Sequence, residues 1–452
     1  MALDRDAQDV ISDLTNALQV ASTADVRNDR YYEGQQRLEH IGLAVPPELR
    51  RFETMVNWPR LVVDSLNERL EVKSFILPGQ DVSDPTLLEA WDENDLDSEA
   101  PKAHLDAFVF GRSFACVGAN EDDPDHPLIT VESPRELAVE IDTRTRRVLT
   151  AWRPTYEGDD PNPVGGTLYQ PNATVRVTRR SGMWVEDVRD NHNLGRVPVQ
   201  PFFNRLRPGR WRGVSEMADV IGLTDAAARS LTNLQIAGET HSVPQKWVLG
   251  MTKGDFVDEG GNPIPAWESY FSAIWANQNE DAKVGQFSAS SLSNFHDTVN
   301  HYARLVSAIS GLPPHFLGFT TDNPASADAI RSSEARLVKR AELKQRQFGD
   351  AWGRVMALYL RFQSGEWPDG ARIKTEWYDA STPTVGARGD FVMKMKAEGV
   401  LSREGSWDEL GWSEARKARE RAYFEAEAMD PVTRAITEEL NARAAADTAP
   451  SA

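Results

Sequence analysis

The sequence predicts an α+β protein that is mainly helical and built from several parts. Three observations lead to this class: residues 113–199 hold short apolar runs between turn residues, two helical patterns flank a small insert, and a very long helical pattern follows. The chain has 452 residues, enough for about three domains. With 40% hydrophobic and 26% charged residues, its composition is that of a folded protein and excludes wholesale disorder.

The first half of the chain reads as helices followed by an antiparallel sheet. Helical patterns cover residues 6–21, 57–70 and 87–111, with apolar residues spaced by three and four. Between 113 and 199 the pattern changes to short strand-like runs that alternate with Pro, Gly, Asn and Asp clusters: SFACVGA, LITVES, LAVEID, RVLTAWR, ATVRVTR and MWVEDV.

Two helices around an insert are predicted next. Ser215 is expected to cap a helix that reaches about residue 242, about 28 residues or roughly 42 Å long. An insert punctuated by Gly and Pro covers 243–290, and a second helix covers 293–310. Such a long helix often packs against copies of itself or spans between two lobes. The apolar positions predicted to pack in this pair of helices are Met217, Val220, Ile221, Leu231, Leu234, Phe295, Val299, Tyr302 and Ile309.

A loop and an exceptionally long helix follow the second helix. Gly311, with two prolines close behind it, is expected to stop that helix abruptly. The loop holds three large apolar residues, which usually means burial against something. Ser326 is predicted to cap a helix of some 37 residues, roughly 55 Å, that reaches about residue 363. From 391 onward, further helical segments follow in quick succession. A single chain of this kind would be poorly compact, so a ring that buries the long helices between copies is the natural hypothesis.

The acidic balance of the chain limits its partners. The sequence has 50 Lys and Arg against 69 Asp and Glu, a formal net charge of −19. Tight nucleic-acid binders gain affinity by neutralising phosphates, so this chain is predicted to meet DNA weakly or repulsively. No apolar run approaches the ~20 residues of a membrane span, and the acidic start (MALDRDAQDV) lacks a signal-peptide pattern. We therefore expect a soluble protein made inside the cell.

Known catalytic and cofactor signatures are missing from the sequence. It holds no P-loop, dinucleotide-binding, zinc-protease or nucleophile-elbow pattern. The single cysteine, Cys116, excludes a cysteine-based zinc cluster within one chain, and its apolar surroundings (FACVG) predict a buried thiol. The acidic stretch at 255–262 (DFVDEGGN) lacks the alternating ligands of a calcium loop. We predict no catalytic residue, no metal site and no cofactor.

Several blocks, spread over nearly the whole chain, are distinctive in their order and spacing: NWPRLVVDSLNERLEV, WDENDLD, FVFGRSFACVG, VESPRELAVEIDTRTRRV, VPVQPFFNR, GVSEMADVIGLTDAAARSLTNL, KWVLGM, ISGLPPHFLGF, NPASADAIRSSEARLVKRAELKQRQFGDAW and AEGVLSREGSWDELGWSEARKARE. In these blocks the chain resembles the portal (head–tail connector) proteins of tailed double-stranded-DNA bacteriophages, in the form typical of long-tailed phages. None of these blocks is a catalytic fingerprint.

The resemblance implies a ring, usually of twelve subunits, at one vertex of the capsid. It implies wing, stem, clip, tunnel-loop and crown regions, which chain order assigns as follows: wing 1–213, first stem helix 214–242, clip 243–290, second stem helix 291–310, tunnel loop 311–325, long helix and completion of the wing 326–383, and helical crown with the C-terminal tail 384–452.

The resemblance also indicates which residues would face the channel. The tunnel-loop candidates for the DNA channel are Pro313, Pro314, His315, Phe316, Leu317, Phe319 and Thr320. For the two phenylalanines, burial against a neighbouring subunit is the alternative. The candidate lumen-facing basic residues are Arg331, Arg336, Lys339 and Arg340, for which solvated surface ion pairs are the alternative.

The partners implied are double-stranded DNA that passes without sequence-specific binding, the terminase large subunit, a head–tail adaptor, and the major capsid and scaffold proteins. No membrane partner is expected. The chain would sit at the portal vertex of the virion, after assembly in the host cytoplasm, and would not be an enzyme. Two alternatives stay open at this point: another ring-forming head–tail connector protein, or a metal-dependent DNA-processing enzyme without a recognisable motif.

Overall fold

The fold is described by a computed structural model. It covers residues 3–38, 54–158, 160–210, 212–241, 246–249, 283–286, 292–318, 327–368, 372–381, 385–412 and 414–429. The chain divides into two compact units, Met1–Trp377 and Tyr378–Ala452. In the described residues the first unit mixes helices with antiparallel strands and the second is helical, so the predicted α+β class is confirmed.

The first helix is longer than its sequence pattern predicts. Helix α1 spans Arg5–Tyr32 rather than 6–21, and its N-cap Asp4 accepts a hydrogen bond from the amide three residues on, at 2.8 Å. The polar stretch after residue 21 stays helical because long-range contacts bury part of it. Asp25 in that stretch is buried and pairs with Arg112 at 2.8 Å.

The next helix lies where the sequence predicts it. Helix α2 spans Trp58–Asn67, inside the predicted 57–70, and Asn57 is its N-cap through a hydrogen bond of 3.3 Å from the amide of residue 60. Pro59 fits because the first helical turn needs no donor at that position. Leu66, on the predicted apolar face, is fully buried.

The single helix predicted at 87–111 is interrupted. Helix α3 spans Pro85–Glu93 and helix α4 spans Leu96–Phe110. The break falls at Asn94, whose side-chain oxygen accepts a hydrogen bond of 2.7 Å from the amide of Ile129. This contact lies 35 residues away in sequence, so no local pattern could indicate it.

The predicted antiparallel sheet is confirmed and is divided into two sheets. Strand β1 (Val72–Ile76) pairs separately with a late strand, β12 (Lys374–Trp377). The three-stranded sheet has the order β3–β2–β9, with β2 at Arg112–Gly118, β3 at Leu128–Glu132 and β9 at Val199–Phe203. The five-stranded sheet is a meander of β4 Ala138–Ile141, β5 Val148–Thr155, β6 Gly165–Tyr169, β7 Thr174–Arg180 and β8 Met183–Asp190.

Long helices replace strands in the rest of the first unit. In chain order these elements are helix α5 (Ile221–His241), strands β10 (Lys246–Leu249) and β11 (Lys283–Gln286), helix α6 (Ser293–Ser310), a short 3₁₀ helix (Pro314–Leu317) and helix α7 (Ala327–Ser364). The bounds of α6 coincide with the predicted 293–310, and α7 matches the predicted long helix to within a residue at its far end.

Helix α1 covers one face of the five-stranded sheet. Its residues Ile11, Leu14 and Leu18 are buried against that sheet. The ring of Trp152 packs edge-on against Trp184, with 5.4 Å between centroids, and its Nε1 donates to a threonine hydroxyl of α1. Burial of this apolar surface is the main favourable contribution to the packing of helix on sheet.

The lone thiol is buried, as its sequence context predicts. Cys116 on β2 is 5% exposed and packs with Phe114, Leu137 and Val199 between the two sheets. Burial raises the pKa of the Cys116 thiol far above its ordinary value. The thiolate, which is the reactive form, is therefore suppressed at neutral pH.

A second aromatic core joins α4, β9, α7 and β12. His104 on α4 is completely buried, and its Nε2 accepts a hydrogen bond of 2.8 Å from Nε1 of Trp352 on α7. The imidazole stacks on Phe348 at 5.2 Å between ring centroids. Phe202 on β9 and Trp377 on β12 close the cluster, so this core fixes α7 to both of these strands.

Acid is expected to weaken the first unit through His104. Burial lowers the pKa of His104 from 6.5 to about 3. Between these values the unfolded chain binds a proton that the folded chain does not, so stability falls as the pH drops through this window. From pH 7.5 to pH 5 this group is expected to cost about 2 kcal/mol, measured by urea unfolding. His104→Gln keeps an acceptor for Trp352 and should remove that part of the pH dependence; an unchanged dependence would contradict the assignment.

The second unit is helical in its described residues. Helices α8 (Val385–Ala397), α9 (Arg403–Glu409) and α10 (Glu414–Met429) confirm the predicted succession of helical segments. Trp407 is buried and stacks on Trp412 and Phe424 at 5.7 and 5.8 Å between ring centroids. The C-terminal tail from residue 430 lies outside the described residues.

The described residues contain neither a membrane-spanning helix nor a metal-binding group. Among them, no helix combines the length and the apolar content that crossing a membrane requires. Nor do any three His, Cys, Asp or Glu side chains in this part of the chain come together in a way that could hold a metal ion.

Candidate functional site

The candidate site begins with the helical hairpin formed by α5 and α6. These two helices pack against each other. The strands between them in sequence, β10 and β11, pair antiparallel, with Lys246 opposite Gln286. Part of the insert predicted at 243–290 is therefore a pair of strands, while its other residues lie outside the described part of the chain.

The apolar residues predicted to pack in this hairpin differ widely in exposure. Met217 and Val220 are buried, and Ile309 is 46% exposed. The remaining residues of that set are partly exposed: Ile221, Leu231, Leu234, Phe295, Val299 and Tyr302. Packing of the partly exposed positions against neighbouring copies stays a prediction.

The first helix of the hairpin starts later than predicted. Ser215 was expected to cap it, but α5 begins at Ile221 and turns occupy 216–220. The hydroxyl of Ser215 does accept a hydrogen bond of 3.2 Å, from the amide of Met217. The backbone of Glu216 is held elsewhere, because its amide donates to the carbonyl of Phe108 at 2.8 Å. This long-range bond delays the regular helix.

A buried ionic cluster, which we call the junction, joins these turns to the long helix α7. It consists of Asn204, Glu216, Arg340 and Lys344. Oε2 of Glu216 accepts hydrogen bonds from Nδ2 of Asn204 at 2.8 Å and from Nζ of Lys344 at 3.3 Å. Arg340 pairs with Oε1 of the same carboxylate, and Lys344 also donates to Oδ1 of Asn204. The junction therefore ties the chain before α5 to the middle of α7.

Electrostatics in the junction favour the charged form of its carboxylate. The Glu216 side chain is only 4% exposed, and such burial alone would raise its pKa. The Lys344 ammonium and the Arg340 guanidinium outweigh that effect and hold the pKa of Glu216 below its ordinary value. The Lys344 side chain is 6% exposed, so both charges depend on each other for compensation.

The loop after α6 begins with an abrupt stop, as predicted. Gly311 has φ 73°, a left-handed conformation that favours glycine at helix ends. Pro313 is buried at the start of the 3₁₀ helix, whereas Pro314 and His315 are exposed. Of the other tunnel-loop candidates, Phe316 and Leu317 are half-buried. Phe319 and Thr320 lie outside the described residues.

The base of this loop is fastened to the start of α7. Arg336 donates a hydrogen bond of 2.7 Å to the carbonyl of Ala308, in the last turn of α6. Its positive charge there opposes the negative end of the helix dipole. Glu334, two residues before Arg336, lies 3.3 Å from Arg69 and 3.7 Å from His315. The loop thus leaves the hairpin from a defined position.

The four candidate lumen-facing basic residues are placed in different ways. Lys339 forms an exposed ion pair with Glu342 at 2.6 Å, which is the solvated alternative. Arg336 caps α6, Arg340 belongs to the junction, and Arg331 is exposed near the start of α7. Whether any of them faces a channel stays a prediction.

Sequence reasoning missed the junction, because its residues lie far apart in the chain. Asn204 and Lys344 are 140 residues apart, and neither stands in a chemical motif. Glu216 reads locally as an ordinary acid at the start of a helix. The one local sign is the basic connector NRLRPGRWRG, which begins at Asn204 and ends just before these turns.

Comparison with known sequences indicates which class of protein has this fold. Residues 26–431 match the family described as phage portal protein, SPP1 Gp6-like. The chain is 38% identical to the portal protein of Mycobacterium phage D29, over 89% of this chain and 85% of that protein. It is 36% identical to the portal protein of Mycobacterium phage L5, over 93% of this chain and 88% of that protein.

The chain belongs to the SPP1 Gp6-like family of phage portal proteins. The resemblance read from the sequence is confirmed, and so is the head–tail connector role that goes with it. The protein is a structural component of the virion.

The solved structures that match this chain include chains of gene transfer agent particles. The neck of an empty gene transfer agent particle matches with a TM-score of 0.46 and 16% identity, over 81% of this chain and 93% of that chain. A chain of the native gene transfer agent virion matches with a TM-score of 0.43 and 17% identity, over 80% and 92%. The family assignment rests on the sequence matches.

Proposed function

We propose that twelve copies of this chain close into a ring at one capsid vertex, and that the genome is packaged and ejected through it. The observation that carries the proposal is the α5–α6 hairpin, followed by the glycine-stopped loop and the long helix α7. A hairpin that exposes large apolar side chains such as Leu305 and Ile309 gains from being surrounded by copies of itself.

The order of elements along the chain supports an assignment of the regions of the subunit. We assign the elements before residue 214 to the wing, α5 and α6 to the stem, and the β10–β11 insert to the clip. The loop at 311–325 would be the tunnel loop, α7 would return into the wing, and the residues from 384 would form the crown. The junction then sits where stem and wing meet.

The acidity of the chain suits a conduit. Twelve copies at −19 would carry on the order of 230 negative charges, and such a wall repels phosphates and lets DNA slide. Basic side chains, such as those near the start of α7, would then act only locally. DNA would pass without sequence-specific binding.

The remaining partners follow from a portal's position in the virion. We infer contacts with a terminase large subunit, a head–tail adaptor, and major capsid and scaffold proteins, formed during assembly in the host cytoplasm. The chain carries no P-loop, so we assign ATP hydrolysis to the terminase and no enzymatic activity to the portal.

Native mass spectrometry and negative-stain microscopy of the purified protein test the ring. The expected result is a hollow ring with a stalk, with the mass of twelve copies of the 50.4 kDa chain, about 605 kDa. A protein that stays monomeric under all assembly conditions would overturn the proposal. Incubation with linear DNA and a divalent metal ion tests the enzymatic alternative, for which reproducible cleavage abolished by a carboxylate substitution would be the positive result.

A further inference from the structure

An open groove of about 260 Å³ lies between the end of α6 and the middle of α7. Five charged side chains line it: Arg205, Glu216, Asp219, Arg340 and Lys344. Two apolar side chains, Ile309 and Leu343, complete the lining, and each is 46% exposed. The groove therefore combines charged side chains with two apolar side chains, Ile309 and Leu343, that remain partly exposed to solvent.

The charges of the groove do not cancel. Three cations face two carboxylates, which leaves an excess of one positive charge. Arg205 pairs with Asp219 at 2.7 Å, while Arg340 and Lys344 share Glu216. Within the described residues, Nη1 of Arg340 is buried from solvent and has no hydrogen-bond partner. A guanidinium N–H without an acceptor is costly, and because this atom is enclosed by the chain itself, a ligand in the groove would meet the positive charge of Arg340 without reaching this N–H.

The backbone at the groove is also strained. Arg205 has φ 54°, in the left-handed region that non-glycine residues rarely adopt. Strain of this kind persists where the surrounding structure requires it and is concentrated at functional positions. Here it accompanies contacts of the Arg205 side chain with Asp219 and with the carbonyl of Ser215 at 3.3 Å.

We propose that this groove receives a carboxylate-bearing segment of the neighbouring copy in the ring. The excess positive charge of the groove attracts an anion, and the chain, at −19, carries more carboxylates than cations. Ile309 and Leu343 would be removed from solvent by an apolar side chain next to that carboxylate. A DNA phosphate fits less well, because Glu216 and Asp219 repel it and because the apolar side chains cannot form hydrogen bonds with it. The inference rests on the proposed ring.

Leu343→Glu tests the groove through assembly. The new carboxylate would compete for Arg340 and remove an apolar contact, while Glu remains a good helix former, so the monomer should fold. The concentration at which half of the rings dissociate is expected to rise at least tenfold, measured by analytical ultracentrifugation. The matched control is Leu128→Glu on β3, where the leucine is 47% exposed and lies away from the groove. Rings as stable as the wild type would overturn the proposal.

Cross-linking identifies the occupant directly. The native Cys116 is buried, so Leu343→Cys introduces one accessible thiol for a photo-activated cross-linker. Rings are assembled from a mixture of isotope-labelled and unlabelled chains, with and without DNA. Cross-linked peptides that join labelled to unlabelled chain, next to an Asp or Glu, support the proposal. Cross-links within one chain, for example to residues 319–326, or to DNA alone would overturn it.

The two proposals fail in different ways. If the wild-type protein forms no ring, the proposed function itself fails. If the wild type forms rings and Leu343→Glu leaves them unchanged, only the assignment of the groove fails. Circular dichroism and thermal unfolding of the variant confirm that its monomer is intact in either case.

Discussion

Replacing Glu216 by alanine is expected to lower the free energy of unfolding of the first unit by about 3–5 kcal/mol. The substitution leaves Lys344, which is 6% exposed, without its carboxylate, and it removes the acceptor for both Asn204 and Arg340. An uncompensated buried charge costs more than the loss of a surface pair. Urea unfolding followed by tryptophan fluorescence measures the change.

Two further variants separate the buried pair from a general loss of charge. Asp219→Ala removes a carboxylate that is 52% exposed from the same region, and it is expected to cost less than about 1 kcal/mol. Adding Lys344→Met to Glu216→Ala removes the stranded ammonium and should restore part of the lost stability. A loss below 1 kcal/mol for Glu216→Ala alone would show that the junction contributes little.

Elements with strong local signals could be predicted from the sequence. Helix α6 has the predicted bounds because its apolar spacing and Gly311 are local features. The long helix α7 follows equally from its spacing, and the alternating runs of 113–199 predicted antiparallel strands. The portal resemblance likewise depended on the order of such blocks along the chain.

The errors share one physical cause, which is contact between residues far apart in the chain. Helix α1 extends past its predicted end because Asp25 pairs with Arg112. The helix predicted at 87–111 breaks where Asn94 reaches β3. The helix predicted from Ser215 starts late because Glu216 binds groups of α4 and α7. In each case a polar side chain or a backbone amide binds a group that is too far away in the chain to be included in a local sequence pattern.

The candidate site likewise contains one part that the sequence could predict and another that depends on long-range contacts. The loop after α6 could be located from Gly311 and its prolines. The junction and the groove could not, because Asn204, Arg340 and Lys344 read as ordinary surface residues in a basic connector and a charged helix. Only the fold shows that Arg340, a candidate for the channel wall, shares a buried carboxylate with Lys344.

Gly213→Ala is the second substitution for which a large effect is expected. A Cβ at Gly213 would lie 1.6 Å from the carbonyl oxygen of Gly111 and 2.9 Å from that of Asn204. Both obstacles are backbone atoms, so α4, β9 and the segment that leads into α5 would have to move apart. Gly111 itself has φ 87°, and its carbonyl accepts the amide of Asn204 at 2.9 Å. We expect a loss on the order of 4 kcal/mol, at the upper end for single substitutions.

The control for this substitution is Gly222→Ala in α5, where a Cβ would meet nothing within 4 Å. In a helix this change is expected to stabilise the protein by up to about 1 kcal/mol. Both substitutions replace glycine by alanine, so the opposite signs of the expected changes in the free energy of unfolding come from the space around each glycine. If both variants unfolded at the urea concentration of the wild type, the close approach of Gly111 and Gly213 would contribute nothing to the attachment of α5 to α4 and β9. The junction would then have to position α5 without help from the backbone.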